Sequence, residues 1–257
     1  MSYALITGAS KGIGKSIAFE LAKHKYDILL TARSVDLLQQ AAEEIKKLYP
    51  VTVHFLPLDL SELTAPQKIF DWCVENNFPV SVLVNNAGFG LTGSFDQISL
   101  RETNDLLQLN VIVPTQLCRL FIPLLKQQTK SYILNICSST AYQAVPLLAV
   151  YSASKAYILR FTRALKLELM ATNISVTCLS PGPTDTDWAK NANMSDKVLK
   201  MADKFNMAPQ KVAAIGIKAM FNKRTEVIAG FTNKLGAFMA WLLPNSFVEK
   251  TTGKLYK

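Results

Sequence analysis

The sequence predicts an α/β protein with one doubly wound parallel sheet and helices on both faces. Short apolar runs alternate with longer amphipathic stretches along most of the 257 residues, as in a series of strand–helix–strand units. The first apolar run breaks into a glycine-rich loop, and a polar or glycine-containing turn follows each of the first six runs. The carboxyl ends of parallel strands form a common ligand-binding edge. One cleft would therefore gather Gly12, Arg33, Asp59, Asn86, Ser138 and Gly182.

Composition narrows the possible functions. The hydrophobic fraction of 49% with 18% charged residues is that of an ordinary globular protein, and we favour one domain over residues 1–257 to two small ones. The net charge of +9 favours anionic partners such as a phosphorylated cofactor. The lysines are dispersed and no basic run is interleaved with aromatic residues, which argues against nucleic-acid binding.

The cysteines and histidines favour a protein with reduced thiols and no metal. Neither His24 nor His54 lies near an acidic or cysteine cluster, so no metal site is expected. The cysteines show no C-x-x-C spacing, and no secretory signal pattern is visible. We therefore expect a cytoplasmic protein with four mostly buried thiols, Cys73, Cys118, Cys137 and Cys178.

The first strand, over residues 3–8, leads into the loop GASKGIG and then a helix. Gly8, Gly12 and Gly14 would let the backbone approach a pyrophosphate, and the free N–H groups of the helix start would bind it. The spacing G-x-x-x-G-x-G differs from the G-x-G-x-x-G dinucleotide fingerprint. Taken alone, the loop is equally compatible with a plain strand-to-helix turn.

The second strand, over residues 26–34, precedes a helix at Val35–Leu48. NAD-binding proteins usually place a carboxylate after this strand to bind the ribose 2′-hydroxyl. Here Arg33 takes that place and Lys11 adds a cation from the glycine loop. A guanidinium binds a 2′-phosphate well, so NADP is favoured over NAD. The alternative is that Arg33 is an ordinary surface arginine.

The third and fourth strands also end in polar residues. The third runs over residues 51–60 and ends at Asp59 and Leu60, where Asp59 has either a binding or a structural role. Ser61 is the expected N-cap of the helix at 61–76. The fourth strand, over residues 80–90, runs into Asn85, Asn86, Ala87 and Gly88 at the ligand-binding edge.

A long helix is predicted over residues 100–127. Asn110 lies there among apolar neighbours, so its side chain needs a hydrogen-bonding partner. Pro114 lies inside the same helix and is expected to kink it.

The fifth strand, over residues 131–138, delivers Ser138, and a loop then leads to a helix over 151–172. Tyr151 and Lys155 lie one turn apart on that helix, so their side chains point into the same cleft. The ammonium favours phenolate, which suits the tyrosine to general acid–base chemistry. Ser138 would add a hydroxyl donor. By spacing alone, the signal is weak, because most Tyr and Lys pairs at this spacing are ordinary surface neighbours.

The remaining chain is predicted to close the fold. The sixth strand, over 173–188, exits through Pro181, Gly182 and Thr184. Residues 189–207 are expected to form a flap over the substrate, followed by a helix at 210–222 and an edge strand at 225–230. The C-terminal tail, 231–257, contains an apolar run at 235–243 that is too short to span a bilayer. We expect a helix packed on the domain or on another subunit; a membrane-surface anchor is the less favoured alternative.

The segments TGASKGIG, LDL, NNAG, YSASK and PGPTDT, together with Asn110 and Ser138, resemble the short-chain dehydrogenase/reductase family in this order. The resemblance covers residues 3–230 and implies a Rossmann fold whose seven strands have the order 3-2-1-4-5-6-7. It implies the catalytic residues Asn110, Ser138, Tyr151 and Lys155. The cofactor-binding residues implied are Gly8, Ser10, Lys11, Gly12, Ile13, Gly14, Arg33, Asp59, Leu60, Asn86, Ala87, Gly88, Tyr151, Lys155, Pro181, Gly182, Thr184 and Thr186.

The activity implied is an NADP(H)-dependent hydride transfer between nicotinamide and a carbonyl or secondary alcohol. Tyr151 would exchange the proton, Ser138 would bind the substrate oxygen, and Lys155 would bind the ribose and lower the pKa of the tyrosine. Asn110 would hold a water molecule beside Lys155. The apolar loop at 145–150 favours an apolar substrate, and a homodimer or homotetramer is expected. A non-catalytic NADP-binding regulator and a membrane-peripheral scaffold are the alternatives, against which the complete catalytic set argues.

Overall fold

The computed structural model describes residues 2–186, 192 and 206–256. Seven parallel strands form one sheet in the order β3-β2-β1-β4-β5-β6-β7, which confirms the predicted order. The strands are β1 (Tyr3–Thr7), β2 (Asp27–Ala32), β3 (Val53–Pro57), β4 (Val80–Asn85), β5 (Ser131–Ile136), β6 (Ile174–Ser180) and β7 (Glu226–Ile228).

Helices cover both faces of this sheet. They are α1 (Gly12–Lys23), α2 (Val35–Leu48), α3 (Ala65–Glu75), α4 (Leu100–Leu107), α5 (Val113–Lys126), α6 (Ala149–Glu168), α7 (Pro209–Phe221), α8 (Phe231–Leu242) and α9 (Asn245–Tyr256). Helices α1, α2 and α7 share one hydrophobic core with Ile6 of β1, and α3, α5 and α6 share the other with Leu5. Because alternate strand residues point to opposite faces, one apolar run supplies both cores.

The order of the strands reverses between β1 and β4. The chain winds outward from β1 through β2 to β3 on one side and from β4 to β7 on the other. The two neighbouring strands send their following segments to opposite faces, which opens a crevice at their carboxyl ends. The glycine loop after β1 and the NNAG turn after β4 therefore lie side by side at the ligand-binding edge.

The prediction for the start of α3 was wrong. The helix begins at Ala65 with Thr64 as its N-cap residue, not at Ser61. Asp59 captures Ser61 instead, because its carboxylate accepts from the Ser61 backbone N–H at 3.0 Å and from its hydroxyl at 2.8 Å. Aspartate commonly bonds the backbone two residues later in a turn, and here this turn delays the helix.

The long helix over residues 100–127 is present with an irregular middle. A π-helical turn at Gln108–Ile112 joins α4 to α5, immediately before the predicted kink at Pro114. Proline has no N–H for the Asn110 carbonyl four residues earlier. By length and composition Leu100–Lys126 is apolar enough to cross a membrane, but α5 is a core helix here, with Leu117 and Phe121 fully buried against the sheet.

The end of the chain forms the edge of the fold. Strand β7 pairs only with β6 among the described residues, as expected for an edge strand. The expected flap at 189–207 lies outside the described residues except for 192, 206 and 207. The expected C-terminal tail contains helices α8 and α9.

Candidate active site

The glycine loop leaves the start of α1 open to an anion. Gly8 and Gly12 have φ of +64° and +61°, a conformation that glycine adopts without strain. Helix α1 has no side-chain cap at its N-cap residue Lys11 and no acidic residue in its first turn. Its first N–H groups and the positive end of the helix dipole can therefore bind a phosphate.

The NNAG turn clamps this loop from the side. The Asn86 side-chain amide donates to the carbonyls of Thr7 and Gly8 at 2.9 and 3.1 Å. The Thr7 hydroxyl accepts from the backbone N–H groups of Asn86 and Ala87 at 2.9 and 3.0 Å. The structure thus places Asn86 as a residue that fixes the loop. A Cβ on Gly14 would lie 2.4 Å from both the Asn86 amide and the Gly8 carbonyl oxygen.

Arg33 and Asp59 follow neighbouring strands at the same edge. The β2 end is tied to the glycine loop, since Ala9 N–H donates to the Thr31 carbonyl at 3.3 Å. Hydrogen bonds from Ser61 lower the pKa of Asp59, and the charge of Arg33 contributes in the same direction. Arg33 is exposed. An exposed guanidinium beside the glycine loop offers charge-assisted, bidentate hydrogen bonds to an added phosphate.

Tyr151 and Lys155 lie in the first two turns of α6, as their spacing predicts. Both are buried, with 5% and 6% of their surface exposed. The Lys155 Nζ lies 5.8 Å from the centroid of the Tyr151 ring and donates to the Ile136 carbonyl at 3.1 Å. Burial lowers the pKa of Lys155, because an ammonium out of water has lost its hydration. Among the described residues, no carboxylate forms a salt bridge with it.

Asn110 connects the π-helical turn to this pair. Its Oδ1 accepts from Phe89 N–H at 3.1 Å, and its Nδ2 donates to the Phe89 carbonyl at 2.9 Å and to Ser154 Oγ at 3.2 Å. The Ser154 hydroxyl in turn donates to the Tyr151 carbonyl at 2.7 Å. A Cβ on Gly88 would lie 2.8 Å from Asn110 Oδ1 and 3.4 Å from Lys155 Nζ, so this glycine allows the close approach.

Ser138 leaves β5 next to the same lysine. The Sγ of the preceding Cys137 donates to the Lys155 carbonyl at 3.1 Å. The Ser138 Oγ accepts from Thr140 N–H at 3.2 Å and from Thr140 Oγ1 at 3.0 Å. A serine hydroxyl has two lone pairs and one proton. Because Thr140 occupies both lone pairs, the proton of Ser138 remains to donate to another oxygen.

A buried polar ladder fixes α6 on the sheet. Asn85 Nδ2 donates to Asn135 Oδ1 at 2.8 Å, and Asn135 Nδ2 donates to Thr162 Oγ1 at 2.9 Å. Thr162 lies on α6 and is fully buried. Hydrogen bonds in such surroundings are costly to leave unmade. These hydrogen bonds therefore fix the position of α6 on the sheet and its rotation about its own axis, and α6 carries Tyr151 and Lys155.

The turn after β6 contacts both the Ser138 turn and the glycine loop. The Pro181 carbonyl accepts from Ser139 N–H at 2.7 Å. Thr184, which replaces the usual aliphatic residue of the family segment, donates its hydroxyl to the Gly182 carbonyl at 3.0 Å and pairs its backbone with Met207. A Cβ on Gly12 would lie 3.1 Å from Thr186 Cγ2. Thus Thr186 lies against the glycine loop.

Apolar side chains surround the tyrosine. Tyr151 packs with the buried residues Leu106, Val145 and Leu148 and with the partly buried Phe89, Leu91 and Val150. Leu147 in the same loop has φ of +65° and its carbonyl accepts from Gly93 N–H at 2.9 Å. Such a conformation costs free energy in a residue with a side chain, and the bond to Gly93 helps to hold it.

Of the expected catalytic set, the structure links Asn110, Tyr151 and Lys155 through Gly88 and Ser154, and Cys137, which precedes Ser138, bonds to the Lys155 carbonyl. Sequence reasoning missed Thr140 and Ser154, which contact members of that set, and Thr7, which ties the NNAG turn to the glycine loop. Small hydroxyl residues are too common at strand ends and in helices for sequence spacing to have identified these three. Among the described residues, no cluster of three His, Cys, Asp or Glu side chains could hold a metal ion.

Comparison with known proteins identifies a family and relatives of this chain. A family model described as short chain dehydrogenase matches residues 2–197. The chain is 32% identical to 17-beta-hydroxysteroid dehydrogenase type 3 of Mus musculus over 91% of this chain and 76% of the relative. It is 30% identical to the NADP-dependent 3-hydroxy acid dehydrogenase of Schizosaccharomyces pombe over 88% and 89%. The alcohol dehydrogenase of Thermococcus sibiricus, solved with 5-hydroxy-NADP, is 26% identical with a TM-score of 0.77, covering 89% of this chain and 95% of that one.

The clamp on the glycine loop predicts the effect of a single methyl group. Gly14→Ala should lower the free energy of unfolding by about 1–3 kcal/mol, because the added Cβ meets backbone and the Asn86 amide. Gly236→Ala is the matched control. Its Cβ would meet nothing within 4 Å in helix α8, so it should be neutral or stabilise by up to about 1 kcal/mol. Urea unfolding measures both, and equal stability of the two variants would contradict the clamp.

Proposed function

Since the chain belongs to the short-chain dehydrogenase family of oxidoreductases, we propose that it transfers hydride between NADP(H) and the carbonyl or secondary-alcohol carbon of a small apolar substrate. The observation that supports this best is the buried ammonium of Lys155 at 5.8 Å from the Tyr151 ring, beside the Ser138 turn. A phenol and a cation held together out of water suit proton exchange with a substrate oxygen.

The residues present fit a dinucleotide. The uncapped start of α1 and its glycines would hold the pyrophosphate, and Arg33 with Lys11 would hold the 2′-phosphate. NADP(H) is also the cofactor named for the yeast relative, and an NADP analogue is bound in the archaeal neighbour. When bound, the nicotinamide supplies or accepts the hydride. Asp59 Oδ1 and Asn86 Nδ2 are engaged within the protein, and we propose that both residues shape the cofactor site and that their remaining side-chain oxygens face the cofactor.

Tyr151 is the general acid–base of the proposed reaction. Its hydroxyl gives a proton to the substrate oxygen in reduction and removes one in oxidation. The ammonium of Lys155 favours the phenolate form, and the low dielectric of the buried site strengthens that effect. Lys155 would also bind ribose hydroxyls with its remaining N–H groups.

Ser138 orients the substrate oxygen. Thr140 fills both lone pairs of the Ser138 hydroxyl, so we assign the remaining proton to the substrate oxygen. A donor aimed where negative charge develops lowers the barrier more than one that must first reorient. We therefore assign Ser138 as the oxyanion donor and Thr140 as its positioning residue.

Asn110 positions the other members of the set. Both protons of its amide are used by Phe89 and Ser154. The expected water beside Lys155 would therefore have to be held by the Asn110 backbone carbonyl, whose usual helical partner is replaced by Pro114. In this proposal, the π-helical turn presents that carbonyl towards the lysine.

We propose an apolar substrate, because apolar side chains surround Tyr151, namely Phe89, Leu91, Val145 and Leu148.

We also propose a cytoplasmic homo-oligomer. The cytoplasmic location is proposed because the four cysteines are buried free thiols. The homo-oligomer is proposed because an apolar depression of about 400 Å³, with Tyr157 partly exposed, lies where the π-helical turn meets α6.

A panel of carbonyls and alcohols followed by NADPH absorbance would identify the substrate class and the favoured direction. The absence of turnover across the panel would favour an NADP-binding regulator.

Tyr151→Phe should reduce NADPH-dependent carbonyl reduction at least about 100-fold and leave NADPH affinity nearly unchanged, because only the hydroxyl is removed. Steady-state turnover and a fluorescence titration with NADPH measure the two effects. Tyr157→Phe is the matched control: it lies on the same helix, is 41% exposed and should retain full activity. Normal turnover of the Tyr151 variant would disprove the mechanism.

Arg33→Ala should weaken NADPH binding roughly 10- to 100-fold, the effect of losing charge-assisted hydrogen bonds of about 1.5–3 kcal/mol. NADH lacks the 2′-phosphate, so its affinity should change much less. Arg101→Ala, with a side chain 91% exposed on α4, is the control and should affect neither cofactor. Equal losses for NADPH and NADH in the Arg33 variant would count against the 2′-phosphate site.

A further inference from the structure

Helix α8 presents an apolar stripe to solvent. Phe231, Leu235, Phe238 and Leu242 follow one another at intervals of three and four residues, which places them on one side of the helix. They are 79%, 49%, 51% and 56% exposed. Trp241 flanks the stripe with 78% exposure and lies 5.9 Å from the Phe238 ring. Exposed large side chains in one continuous patch mark an interaction surface.

The opposite side of α8 is held by the body of the protein. Ala240 is buried, and Asn233 Nδ2 donates to the Ala229 carbonyl at 2.6 Å. Asn233 also lies so close to Gly182 that a Cβ there would overlap it. Helix α8 is therefore packed on the protein through the side that carries Asn233 and Ala240. Its largest apolar residues lie on the other side and face solvent.

Helix α9 carries a further exposed aromatic residue and contacts the loop before α6. Phe247 is 60% exposed, while a Cβ on Gly253 would lie 3.5 Å from Pro146. Helices α8 and α9 enclose a small cavity of about 150 Å³ with Tyr142 and neighbouring residues of the Ser138 turn. The helices that carry the exposed surface thus contact the loop that follows Ser138 and leads to Tyr151.

Helix α8 itself carries only positive charge. Helix α8 contains no acidic residue, and Lys234 is exposed beside the stripe. Within residues 231–257 the sequence has four lysines against the single acid Glu249, within a chain of net charge +9. An apolar helix face with a Trp at its border, an exposed lysine beside it and a basic surrounding sequence matches the composition of helices that lie in an anionic membrane interface.

The size of the stripe favours a membrane over a second copy of the chain. A twelve-residue helix is about 18 Å long and about 10 Å wide, so its outer face covers a few hundred Å². A stable protein interface buries about 800 Å² per partner. A bilayer needs no shape complementarity and accepts a single convex helix buried about 5–10 Å deep.

We propose that the outer face of α8, together with Phe247 of α9, docks the protein on an anionic membrane surface. The aromatic and leucine side chains enter the headgroup and acyl boundary, and Lys234 binds lipid phosphates. This surface is separate from the catalytic residues, so the proposal holds whatever the reaction.

Flotation with vesicles tests the proposal on the full chain. The protein should float with phosphatidylcholine vesicles that contain about 30% phosphatidylglycerol and much less with pure phosphatidylcholine, since the charge contributes to binding. The triple variant Phe231→Ser, Phe238→Ser, Trp241→Ser should lose at least about 10-fold in vesicle affinity. The control variant Leu63→Ser, Leu167→Ser replaces residues that are 79% and 69% exposed elsewhere and should bind like the wild type. Thermal unfolding and NADPH binding of both variants check that they fold.

Two outcomes would overturn the proposal. One is that wild type fails to float with anionic vesicles, or that the triple variant floats equally well. The other is that analytical ultracentrifugation finds a dimer that the triple variant dissociates while vesicle binding is absent, which would make the stripe an interface between copies. The membrane proposal is supported if the wild type and the control variant float with anionic vesicles and the folded triple variant does not.

Discussion

The site depends on an ammonium held out of water. Lys155 is buried on α6 without a carboxylate in salt-bridge distance among the described residues, and it donates to the Ile136 carbonyl. Burying a charge is costly unless other groups compensate, so the surroundings must be organised around it. The Tyr151 ring, the Cys137 thiol, the Asn110 amide and Gly88 all lie next to this lysine or its backbone. In the proposed reaction, phenolate and ribose hydroxyls complete its partners.

The rest of the fold holds this arrangement in place from three directions. The ladder of Asn85, Asn135 and Thr162 fixes α6 on the sheet. The π-helical turn places Asn110 against both Phe89 and Ser154, and such turns within α-helices recur at functional sites. On the cofactor side, Thr7 and Asn86 lock the glycine loop to the NNAG turn. These are all interactions between segments far apart in sequence, and they converge because the strand order reverses between β1 and β4.

The sequence revealed the fold through patterns that are local. Buried parallel strands are continuous apolar runs, glycine marks the loop that needs positive φ, and Tyr151 and Lys155 lie one helical turn apart. The resemblance to a family supplied the strand order and linked Ser138 and Asn110 to them. The residues that sequence reasoning missed have roles that depend on tertiary contacts. Thr140 acts only through Ser138, and Ser154 acts only through Asn110 and Tyr151. Ser61 has the composition of an N-cap, but the Asp59 carboxylate competes for it, and sequence offers no way to rank the two.

The claim that the buried ammonium governs the tyrosine is tested most directly by titrating the phenol itself. Protein labelled with ¹³Cζ-tyrosine is followed by NMR against pH for the wild type and for Lys155→Met, a change that keeps length and packing but removes the charge; Tyr151→Phe assigns the resonance. The account predicts that Tyr151 titrates at a clearly lower pH in the wild type than in the Lys155 variant, because the cation stabilises phenolate. The same titration midpoint in both proteins, with both folded, would contradict it.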